Sequence, residues 1–350
     1  MNEIIKVNHL YKTYKILQKK VGIKNTWFNL FSKKYNYVNA INDVTFEAYQ
    51  GEIFGILGRN GAGKSTLIKM MTGILQPSSG FININGYVPY ENREKYVKNV
   101  GIVFGQRSQL WWTLPCIESF KILKELYAID DYTYKKNLEY FNEVVQLDGL
   151  LNKPVRFMSL GERILCDILA SFLHNPKVVF LDEPTIGLDI YIKEGIRNLI
   201  LNLNAEKKST IVLTTHDMGD VDAICKRIIV LEKGEKIYDD SMYKLKNELG
   251  SKRILLFYVH MREIADEIIA KSIISLLKKS FGNYVKQTVK CENKLVKIAF
   301  NEKQISVTNL LNILQSKFKL EDIEIQKMST EALIKEIYKE KDMLNEGYVL

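Results

Sequence analysis

Apolar and polar residues alternate over residues 4–14 and 38–49, a two-residue period that predicts β-strands with one buried face. Residues 178–181 and 211–213 are instead uninterrupted apolar runs, which are typical of strands covered on both faces of a parallel sheet. Between about residues 106 and 160 the apolar positions recur with the period of a helix. The pattern therefore predicts an α/β domain whose buried strands form a parallel sheet, with a helical region between about residues 106 and 160.

The pattern changes near residue 246. Beyond it we predict strand, helix, strand, strand, helix and strand, followed by one more helix. The predicted segments are 253–259, 262–281, 284–291, 294–300, 305–318, 322–326 and 330–339. This is the order of a small α+β, ferredoxin-like domain. The apolar positions of its first helix predict a core face, formed by Ile268, Ile269, Ile273, Leu276 and Leu277. We therefore predict two domains, 1–245 and 246–350, and assign no chemistry to the second.

A glycine-rich segment lies between an apolar strand, residues 52–57, and a predicted helix. It fits the pattern G-x-x-x-x-G-K-[ST], whose backbone N–H groups wrap a polyphosphate because glycine permits positive φ. We predict that Lys64 reaches the β- and γ-phosphates and that the Ser65 hydroxyl binds Mg²⁺. The whole segment is Gly58, Arg59, Asn60, Gly61, Ala62, Gly63, Lys64, Ser65 and Thr66. It predicts binding of ATP or GTP.

Two carboxylates, Asp182 and Glu183, end the apolar run 178–181. In a phosphate-loop protein, Asp182 would hold Mg²⁺ and Glu183 would polarise the water that attacks the γ-phosphate. Carboxylates at strand ends are also common as solvated residues without a catalytic role. A catalytic role for this pair is therefore inferred from the motifs around it.

Charge and cysteine content restrict the partners of the chain. Its net charge of +9 is compatible with nucleic acid, anionic lipid or solubility alone. Four cysteines without a C-x-x-C pair predict neither disulfides nor zinc, as in a reducing cytosol. The first twenty residues lack the apolar core of a secretory signal, and no apolar run approaches the roughly 18 residues of a membrane span. A role at a membrane would therefore need a partner or surface binding.

The motifs of residues 1–240 resemble, in order and spacing, those of the ATP-binding cassette (ABC) family. A lone glutamine or histidine at such positions is usually structural, and a serine before a helix is usually an N-cap. Here the signature serine lies 23 positions before Asp182, as the family's helix requires. Besides the glycine-rich segment and the Asp182–Glu183 pair, the matching residues are Gln106, the signature segment Ser159-Leu160-Gly161-Glu162-Arg163, the D-loop aspartate Asp189 and the switch histidine His216.

The resemblance implies an α/β P-loop cassette with a mixed sheet at its core, an antiparallel β subdomain and a helical signature subdomain. It also implies an ATPase with Mg²⁺ as cofactor. In that family Gln106 would join Ser65 and Asp182 at the metal and approach the attacking water. His216 would hydrogen-bond the γ-phosphate, beside the general base Glu183.

The resemblance also implies a dimer, either of identical or of different cassettes. Ser159 and Gly161 of one chain would complete the phosphate site of the other, with Asp189 acting across the interface. Two ATP molecules would then hold the two cassettes head to tail, and hydrolysis would separate them.

The signature departs from the common L-S-G-G-Q form. Met158, Leu160 and Glu162 replace the first Leu, the first Gly and the Gln. A carboxylate at Glu162 would repel a triphosphate unless Arg163 or solvent offsets its charge.

The family stacks an early aromatic residue on adenine, and Tyr14 stands in the matching place. A lysine-rich insertion, about residues 15–37, separates its strand from the next, so Tyr35 or Tyr37 are alternatives. The aromatic cluster of Trp27, Phe28 and Phe31 within the insertion fits either a solvated loop or contact with an anionic lipid surface.

One cassette without a membrane span implies a separate membrane permease and a peripheral position on the cytoplasmic face. Residues 104–112 and the signature are similar to those of exporter-type cassettes, and Trp111 and Trp112 would either anchor a permease or fill the helical subdomain. The alternative is a soluble cassette ATPase acting on ribosomes or nucleic acid. That alternative is not favoured, because only 95 positions separate Lys64 from Ser159 and no long coiled coil occupies them.

Overall fold

The chain forms two compact units, Met1–Ser241 and Met242–Leu350. The computed structural model describes residues 2–17, 35–105, 107–145, 147, 149–248, 251–260, 264–282 and 289–345. Gln106 and the cluster of Trp27, Phe28 and Phe31 lie outside the described residues. Within the described part of the chain, no helix is long and apolar enough to cross a membrane.

The first unit alternates strands and helices. Its strands are β1 (Glu3–Leu17), β2 (Tyr35–Tyr49), β3 (Ile53–Gly58), β4 (Ser79–Ile84), β5 (Val100–Phe104), β6 (Val178–Asp182), β7 (Thr210–Thr214), β8 (Arg227–Glu232) and β9 (Glu235–Ser241). Its helices are α1 (Lys64–Met71), α2 (Arg93–Val97), α3 (Cys116–Leu126), α4 (Asp131–Val145), α5 (Leu160–Phe172), α6 (Ile190–Lys207) and α7 (Met218–Ile224), with a 3₁₀ turn at Val155–Phe157.

A six-stranded sheet runs through this unit in the order β5-β6-β7-β3-β8-β9. The first five strands are parallel, and β9 returns antiparallel to β8 as a hairpin. Residues 178–181 and 211–213 are fully buried, which confirms the prediction of strands covered on both faces. Because the strands are parallel, β3, β6 and β7 end at the same edge of the sheet. The glycine-rich segment and the two carboxylates are therefore delivered to one place.

A second, antiparallel sheet has the order β2-β1-β4 and forms the predicted β subdomain. One apolar core joins it to the main sheet through α1. Phe46 of β2 meets Phe54 of β3 edge to face, with ring centroids 6.0 Å apart. Both side chains are almost completely buried, and the burial of each stabilises this junction by about 2 kcal/mol. The glycine-rich segment at the end of β3 is thus built on a rigid base.

Between β5 and β6 the chain is helical, as the sequence predicts. The helices α3, α4 and α5 occupy this region, and α5 begins directly after Ser159. Nine of the thirteen residues of α5 are buried, so the helix that carries the signature segment is fixed in the interior.

The second unit is a four-stranded antiparallel sheet with helices. Its elements are α8 (Met242–Glu248), β10 (Lys252–Val259), α9 (Asp266–Phe281), β11 (Val289–Glu292), β12 (Leu295–Asn301), α10 (Val307–Gln315), β13 (Leu320–Lys327) and α11 (Thr330–Asn345). The strand order β11-β12-β10-β13 and the sequence βαββαβ are those of a ferredoxin-like fold, as predicted.

The predicted core face of α9 is correct in part. Ile269, Ile273 and Leu277, spaced four residues apart, are buried against the sheet, and Leu276 packs against them. Ile268 is instead 56% exposed. It precedes the buried row by one position, which places it about 100° around the helix from that row.

Candidate active site

Glycine residues shape the loop that follows β3. Gly61 and Gly63 have φ angles of 80° and 107°, in the region that favours glycine. A Cβ atom at Gly63 would lie 2.5 Å from the carbonyl oxygen of Ala40, so no other residue fits there without displacing backbone. Gly63 also precedes the first residue of α1. The N–H groups at the start of this helix therefore face the space enclosed by the loop.

Lys64 is directed into the same space. Its side chain is 8% exposed, and its ammonium donates to the carbonyl oxygens of Gly58 at 2.7 Å and Arg59 at 3.3 Å. Burial lowers the pKa of Lys64, and the nearby charges of Glu183 and Asp182 partly oppose this effect. A glycine cradle with an inward-facing ammonium fits the phosphates of a nucleotide.

The turn between β8 and β9 is hydrogen-bonded to the glycine-rich loop. The N–H of Gly234 donates to the carbonyl oxygen of Ala62 at 3.0 Å, and the N–H of Asn42 donates to that of Gly234 at 2.8 Å. Gly234 has a φ of 85°. The sequence did not predict that this turn takes part in the site.

Asp182 and Glu183 leave β6 next to the end of β7. The Thr214 hydroxyl donates to Asp182 Oδ1, and the N–H of Glu183 donates to the Thr214 carbonyl at 2.9 Å. Glu183 has a φ of 52°, a left-handed conformation that is uncommon outside glycine and clusters at functional sites. Its Oε1 lies 3.2 Å from Nδ1 of His216. The structure thus brings both carboxylates, the histidine and Lys64 to one edge of the sheet.

A cavity of 160 Å³ opens beside this pair. Its lining comes from the segments that follow β6 and β7, and includes Glu183, Gly187, Lys193, His216 and Asp217. The cavity therefore connects the two strand ends with the segment that leads to Asp189.

Gly105, at the end of β5, packs directly on the backbone of the carboxylate pair. Its N–H donates to the carbonyl oxygen of Asp182 at 2.8 Å. A Cβ atom at Gly105 would lie 2.4 Å from the carbonyl oxygen of Glu183. Gln106 follows Gly105 in the sequence. Sequence reasoning missed the role of Gly105, although a glycine before a predicted glutamine loop was the available signal.

The segment after Gln106 is held by a buried carboxylate of α5. Asp167 Oδ1 accepts from the Ser108 hydroxyl at 3.0 Å and from the N–H of Gln109 at 2.9 Å. Burial raises the pKa of Asp167 to about 6, although these hydrogen bonds and the charge of Arg163 lower it. Asp167 therefore resists ionisation in the folded protein.

We expect Asp167→Asn to change how stability depends on pH. Between pH 3.8 and about 6 the folded wild type binds more protons at residue 167 than the unfolded chain, so its stability falls as pH rises. Asn does not titrate, so the variant should gain up to about 3 kcal/mol relative to wild type across this window. Urea unfolding at pH 4, 5, 6 and 7 measures the difference.

The control is His174, whose titration has the opposite sign. Burial lowers the pKa of His174 to about 4. Between pH 4 and 6.5 the unfolded chain therefore binds more protons at this residue than the folded protein does, so the stability of the protein rises as pH rises through this range. His174→Phe, which can keep the ring stacked on Tyr127, should lose that rise. A constant difference between Asp167→Asn and wild type over pH 4–7 would contradict the assignment.

Ser159 is the N-cap of α5 and forms a capping box. Its hydroxyl accepts from the N–H of Glu162 at 3.2 Å, and Glu162 Oε2 accepts from the N–H of Ser159 at 2.7 Å. Lys153 lies 2.7 Å from the same oxygen. Lys153 and the Ser159 N–H lower the pKa of Glu162. Arg163 and solvent were the two expected sources of an offsetting charge, but the guanidinium of Arg163 lies over the ring of Trp112 and Lys153 contacts Glu162 instead.

The signature segment contacts the D-loop helix, α6, which begins directly after Asp189. A Cβ atom at Gly161 would lie 2.6 Å from Cγ2 of Ile192, and one at Gly187 would lie 3.4 Å from Leu160. Asp189 is the N-cap of α6, its Oδ1 accepting from the N–H of Tyr191 at 3.0 Å. No hydrogen bond or ion pair among the described residues joins Ser159, Gly161 or Asp189 to Lys64.

A buried ion pair fixes α6 to the segment after His216. Asp220 is completely buried, and Arg197 of α6 reaches its Oδ1 at 2.7 Å from Nη2 and 2.8 Å from Nε. The hydroxyls of Thr185 and Thr215 donate to Oδ2 of the same carboxylate. The segments that leave β6 and β7 are thereby tied to one side chain. Sequence reasoning did not find this network.

A second, half-buried pair strengthens the connection. Lys193 of α6 binds Asp217, which also accepts from the N–H of Gly219 at 2.8 Å. Burial alone would raise the pKa of Asp217, but these donors outweigh it and hold the pKa below its usual value.

Tyr14 lies near the glycine-rich loop. Its hydroxyl is 3.5 Å from that of Thr66, and the ammonium of Lys12 lies 5.6 Å from its ring. The alternatives Tyr35 and Tyr37 are exposed, and Lys15 lies 4.0 Å from the ring of Tyr35.

Comparison with known proteins adds a family and several relatives. A family model described as ABC transporter matches residues 41–186. The chain is 32% identical over 215 residues to the ABC transporter ATP-binding protein NatA of Bacillus subtilis, an alignment that covers 61% of this chain and 87% of NatA. It is 32% identical over 223 residues to the linearmycin resistance ATP-binding protein LnrL of the same organism, covering 64% of this chain and 71% of LnrL.

Two further similarities have different coverage. The methionine import ATP-binding protein MetN 2 of Enterococcus faecalis is 26% identical over 295 residues, which covers 81% of each chain. The structure of cbiO1 from Clostridium perfringens, described as part of the ABC transporter complex cbiONQ, superposes with a TM-score of 0.58 at 26% identity. That superposition covers 71% of this chain and 92% of cbiO1.

Proposed function

We propose, since this chain belongs to the ABC transporter family, that it is the ATP-hydrolysing subunit of an exporter and drives a separate membrane permease. The chain is an ATPase with the ABC fold. The observation that carries the proposal is the contact of Glu183 with His216 at the sheet edge that also holds Lys64. That arrangement supports the roles that we assign to Glu183 as base, to His216 as its orienting partner and to Lys64 as phosphate-binding cation.

For ATP binding, we assign the phosphates to Lys64 and to the backbone N–H groups of residues 60–66. The ammonium of Lys64 has three donors, of which two reach carbonyl oxygens, so it can turn to a phosphate without losing all its partners. We assign the adenine to Tyr14, because it lies beside Thr66 at the end of the loop.

For Mg²⁺, we assign Ser65, Asp182 and Gln106. Oxygen ligands suit this hard cation, and the Asp182 carboxylate keeps an oxygen that does not accept from Thr214. When bound, the metal neutralises charge on the β- and γ-phosphates. Asp182 is fixed for this task by its contact with Thr214.

For hydrolysis, we assign Glu183 as the general base for the attacking water. His216 faces Glu183 through Nδ1, which leaves Nε2 on the opposite side of the ring for the γ-phosphate. Gly105 packs against the backbone of Glu183, and its N–H donates to the carbonyl oxygen of Asp182. The carboxylate is therefore oriented before the nucleotide arrives, which lowers the reorganisation required during the reaction.

We propose that two cassettes assemble head to tail around two ATP molecules. Ser159 and Gly161 lie at the N-terminus of α5, where backbone N–H groups suit a phosphate. Within one chain they are not bonded to Lys64, which supports their use by a second copy. Ile190 and Tyr191 are exposed next to Asp189 and suit contact across such an interface. ATP would then close the dimer, and loss of the γ-phosphate would open it.

We propose that the permease docks near Trp112. Its side chain is 54% exposed, and Trp111 and Phe157 beside it on the helical subdomain are exposed too. The guanidinium of Arg163 lies 5.6 Å from the ring of Trp112 and holds it in place. Exposed aromatic side chains of this kind serve as anchors of protein interfaces.

We expect Trp112→Ala to weaken recovery of the permease about thirtyfold while ATP binding is retained. Affinity capture of the full chain from native membranes, followed by quantification of the bound membrane protein, measures this loss. Tyr132→Ala is the matched control, since Tyr132 is also an exposed aromatic side chain of the helical subdomain. Equal recovery by the two variants would contradict docking at Trp112.

The experiment that tests the proposal as a whole is capture with Glu183→Gln in the presence of ATP. Recovery of a multi-span membrane protein supports the transporter subunit, and recovery of ribosomes or nucleic acid without such a protein overturns it. The name of LnrL favours export and that of MetN 2 favours import. Reconstitution of the recovered membrane protein with the wild-type chain, in vesicles with ATP outside, would decide the direction. Loss of cargo from the lumen to the outside would contradict export.

A further inference from the structure

The contact between Glu183 and His216 joins two segments that are distant in the sequence. Glu183 follows β6 directly, and His216 is the second residue after β7. The side chain of His216 is 62% exposed, so packing does little to fix its position. The distance of 3.2 Å between Oε1 of Glu183 and Nδ1 of His216 therefore depends on how the two backbone segments are held.

A buried threonine lies close in the sequence to each member of this pair. Thr185 is two residues after Glu183. Thr215 directly precedes His216. Each threonine is 2% exposed, and both hydroxyls donate to Oδ2 of Asp220, that of Thr215 at 3.1 Å. One buried carboxylate oxygen is thus bonded to both segments.

The other oxygen of the same carboxylate is bound by α6. Arg197 lies 2.7 Å from Oδ1 of Asp220 through Nη2 and 2.8 Å through Nε, which leaves Oδ2 for the two hydroxyls. An ionised carboxylate only accepts hydrogen bonds, at about four positions, so all of these donors can point at it without conflict. The Thr215 oxygen in turn accepts from the N–H of Asp217 at 3.0 Å. The backbone is therefore held on both sides of His216.

We propose that Asp220 is a positioning residue for ATP hydrolysis, which keeps Glu183 and His216 in contact through the hydroxyls of Thr185 and Thr215. Among the residues that the structure describes, no hydrogen bond or ion pair joins Asp220 directly to Glu183 or His216. Asp220 therefore acts through the two threonines. The inference rests on the proposed function, because it uses the roles assigned there to Glu183 and His216.

Loss of one of these hydroxyls should slow hydrolysis without weakening ATP binding. A shift of about 1 Å in a catalytic group can lower a rate about 10²-fold. The phosphate-binding ammonium of Lys64 is held separately, by the carbonyl oxygens of Gly58 and Arg59. For the full chain we therefore expect Thr215→Val to lower kcat for ATP about 10- to 100-fold and to change KM by less than about twofold.

Thr210→Val is the matched control. Thr210 begins β7, and Thr215 directly follows the last residue of this strand. The buried Thr210 hydroxyl donates to the carbonyl oxygen of Tyr49 at 3.2 Å and accepts from the N–H of Gly51 at 3.0 Å, so Val removes a comparable pair of hydrogen bonds away from the site. It should leave kcat within about twofold of wild type, and Thr215→Ser, which keeps the hydroxyl, within about threefold. Equal loss of kcat in Thr210→Val and Thr215→Val would overturn the proposal.

A double-mutant cycle measures whether Thr215 acts through His216. If its hydroxyl positions that histidine, Thr215→Val should lower kcat by less than about twofold in a His216→Ala background. The same fold-loss in both backgrounds would overturn the proposal, because a purely structural role does not depend on His216. Should Thr215→Val fail to fold, Thr185→Val tests the other segment. It should lower kcat at least about tenfold, and an unchanged kcat would overturn the proposal.

Failure of this inference is separable from failure of the proposed function. Glu183→Gln and His216→Ala test the assigned roles directly and leave the threonine hydroxyls in place. If both variants lose turnover while Thr185→Val and Thr215→Val keep it, the positioning role is wrong and the assigned roles stand. If Glu183→Gln and His216→Ala keep wild-type turnover, the assigned roles are wrong and the positioning role is wrong with them.

Discussion

Replacing Glu183 by Gln will reduce ATP turnover by about 10²- to 10⁴-fold and leave ATP binding nearly unchanged. Gln keeps the size of Glu and can still contact His216, but it cannot accept a proton from water. The phosphate-binding groups, Lys64 and the N–H groups of the loop, are untouched. Single-turnover hydrolysis and binding of a fluorescent ATP analogue measure the two effects separately.

The matched control is Glu194→Gln. Glu194 is an exposed carboxylate on the second turn of α6, near the site but outside the contacts described for it. It should retain wild-type turnover. A Glu183→Gln variant that loses ATP affinity as strongly as turnover would show that Glu183 contributes to binding, and its assignment as general base would be wrong.

Arg197→Met will lower the free energy of unfolding by about 3–5 kcal/mol. Asp220 is completely buried, and Arg197 is the cation at its Oδ1. Without Arg197, the hydroxyls of Thr185 and Thr215 are the remaining side-chain donors to this buried carboxylate within the described part of the chain. Urea unfolding at pH 7.5, followed by ellipticity, measures the loss.

Two companion variants separate charge burial from packing. Lys193→Met, in the same helix, breaks the half-exposed pair with Asp217 and should cost about 1 kcal/mol or less. Arg197→Met with Asp220→Asn should be more stable than Arg197→Met alone, because no buried charge then lacks a partner. If Arg197→Met costs no more than Lys193→Met, the buried pair does not stabilise this region.

The buried strands and the phosphate loop could be predicted from the sequence because their signals are local. The apolar run 178–181 and the glycine spacing of residues 58–65 each encode their structure within a few residues. The βαββαβ order of the second unit was also predicted, although α9 begins at Asp266 rather than at residue 262. Periodicity places an element well and its ends poorly.

The supports of the site could not be predicted in the same way. Gly234 reaches Ala62, and Arg197 reaches Asp220, only after the sheet has brought distant segments together. No period or motif links such positions along the chain. Similarly, the charge that offsets Glu162 comes from Lys153, nine residues earlier, and not from its neighbour Arg163. These contacts depend on which segments the fold brings together, and the local sequence does not encode that.

The contact between Gly161 and Ile192 limits how this protein can evolve. Any side chain at residue 161 would collide with Ile192, whose Cγ2 atom would lie 2.6 Å from the new Cβ. A lineage that acquires Ala at 161 must therefore first shorten residue 192, and that first step leaves a cavity that lowers stability. The signature segment and the D-loop helix consequently diverge as one unit, and an engineer who exchanges one between cassettes must transfer the other.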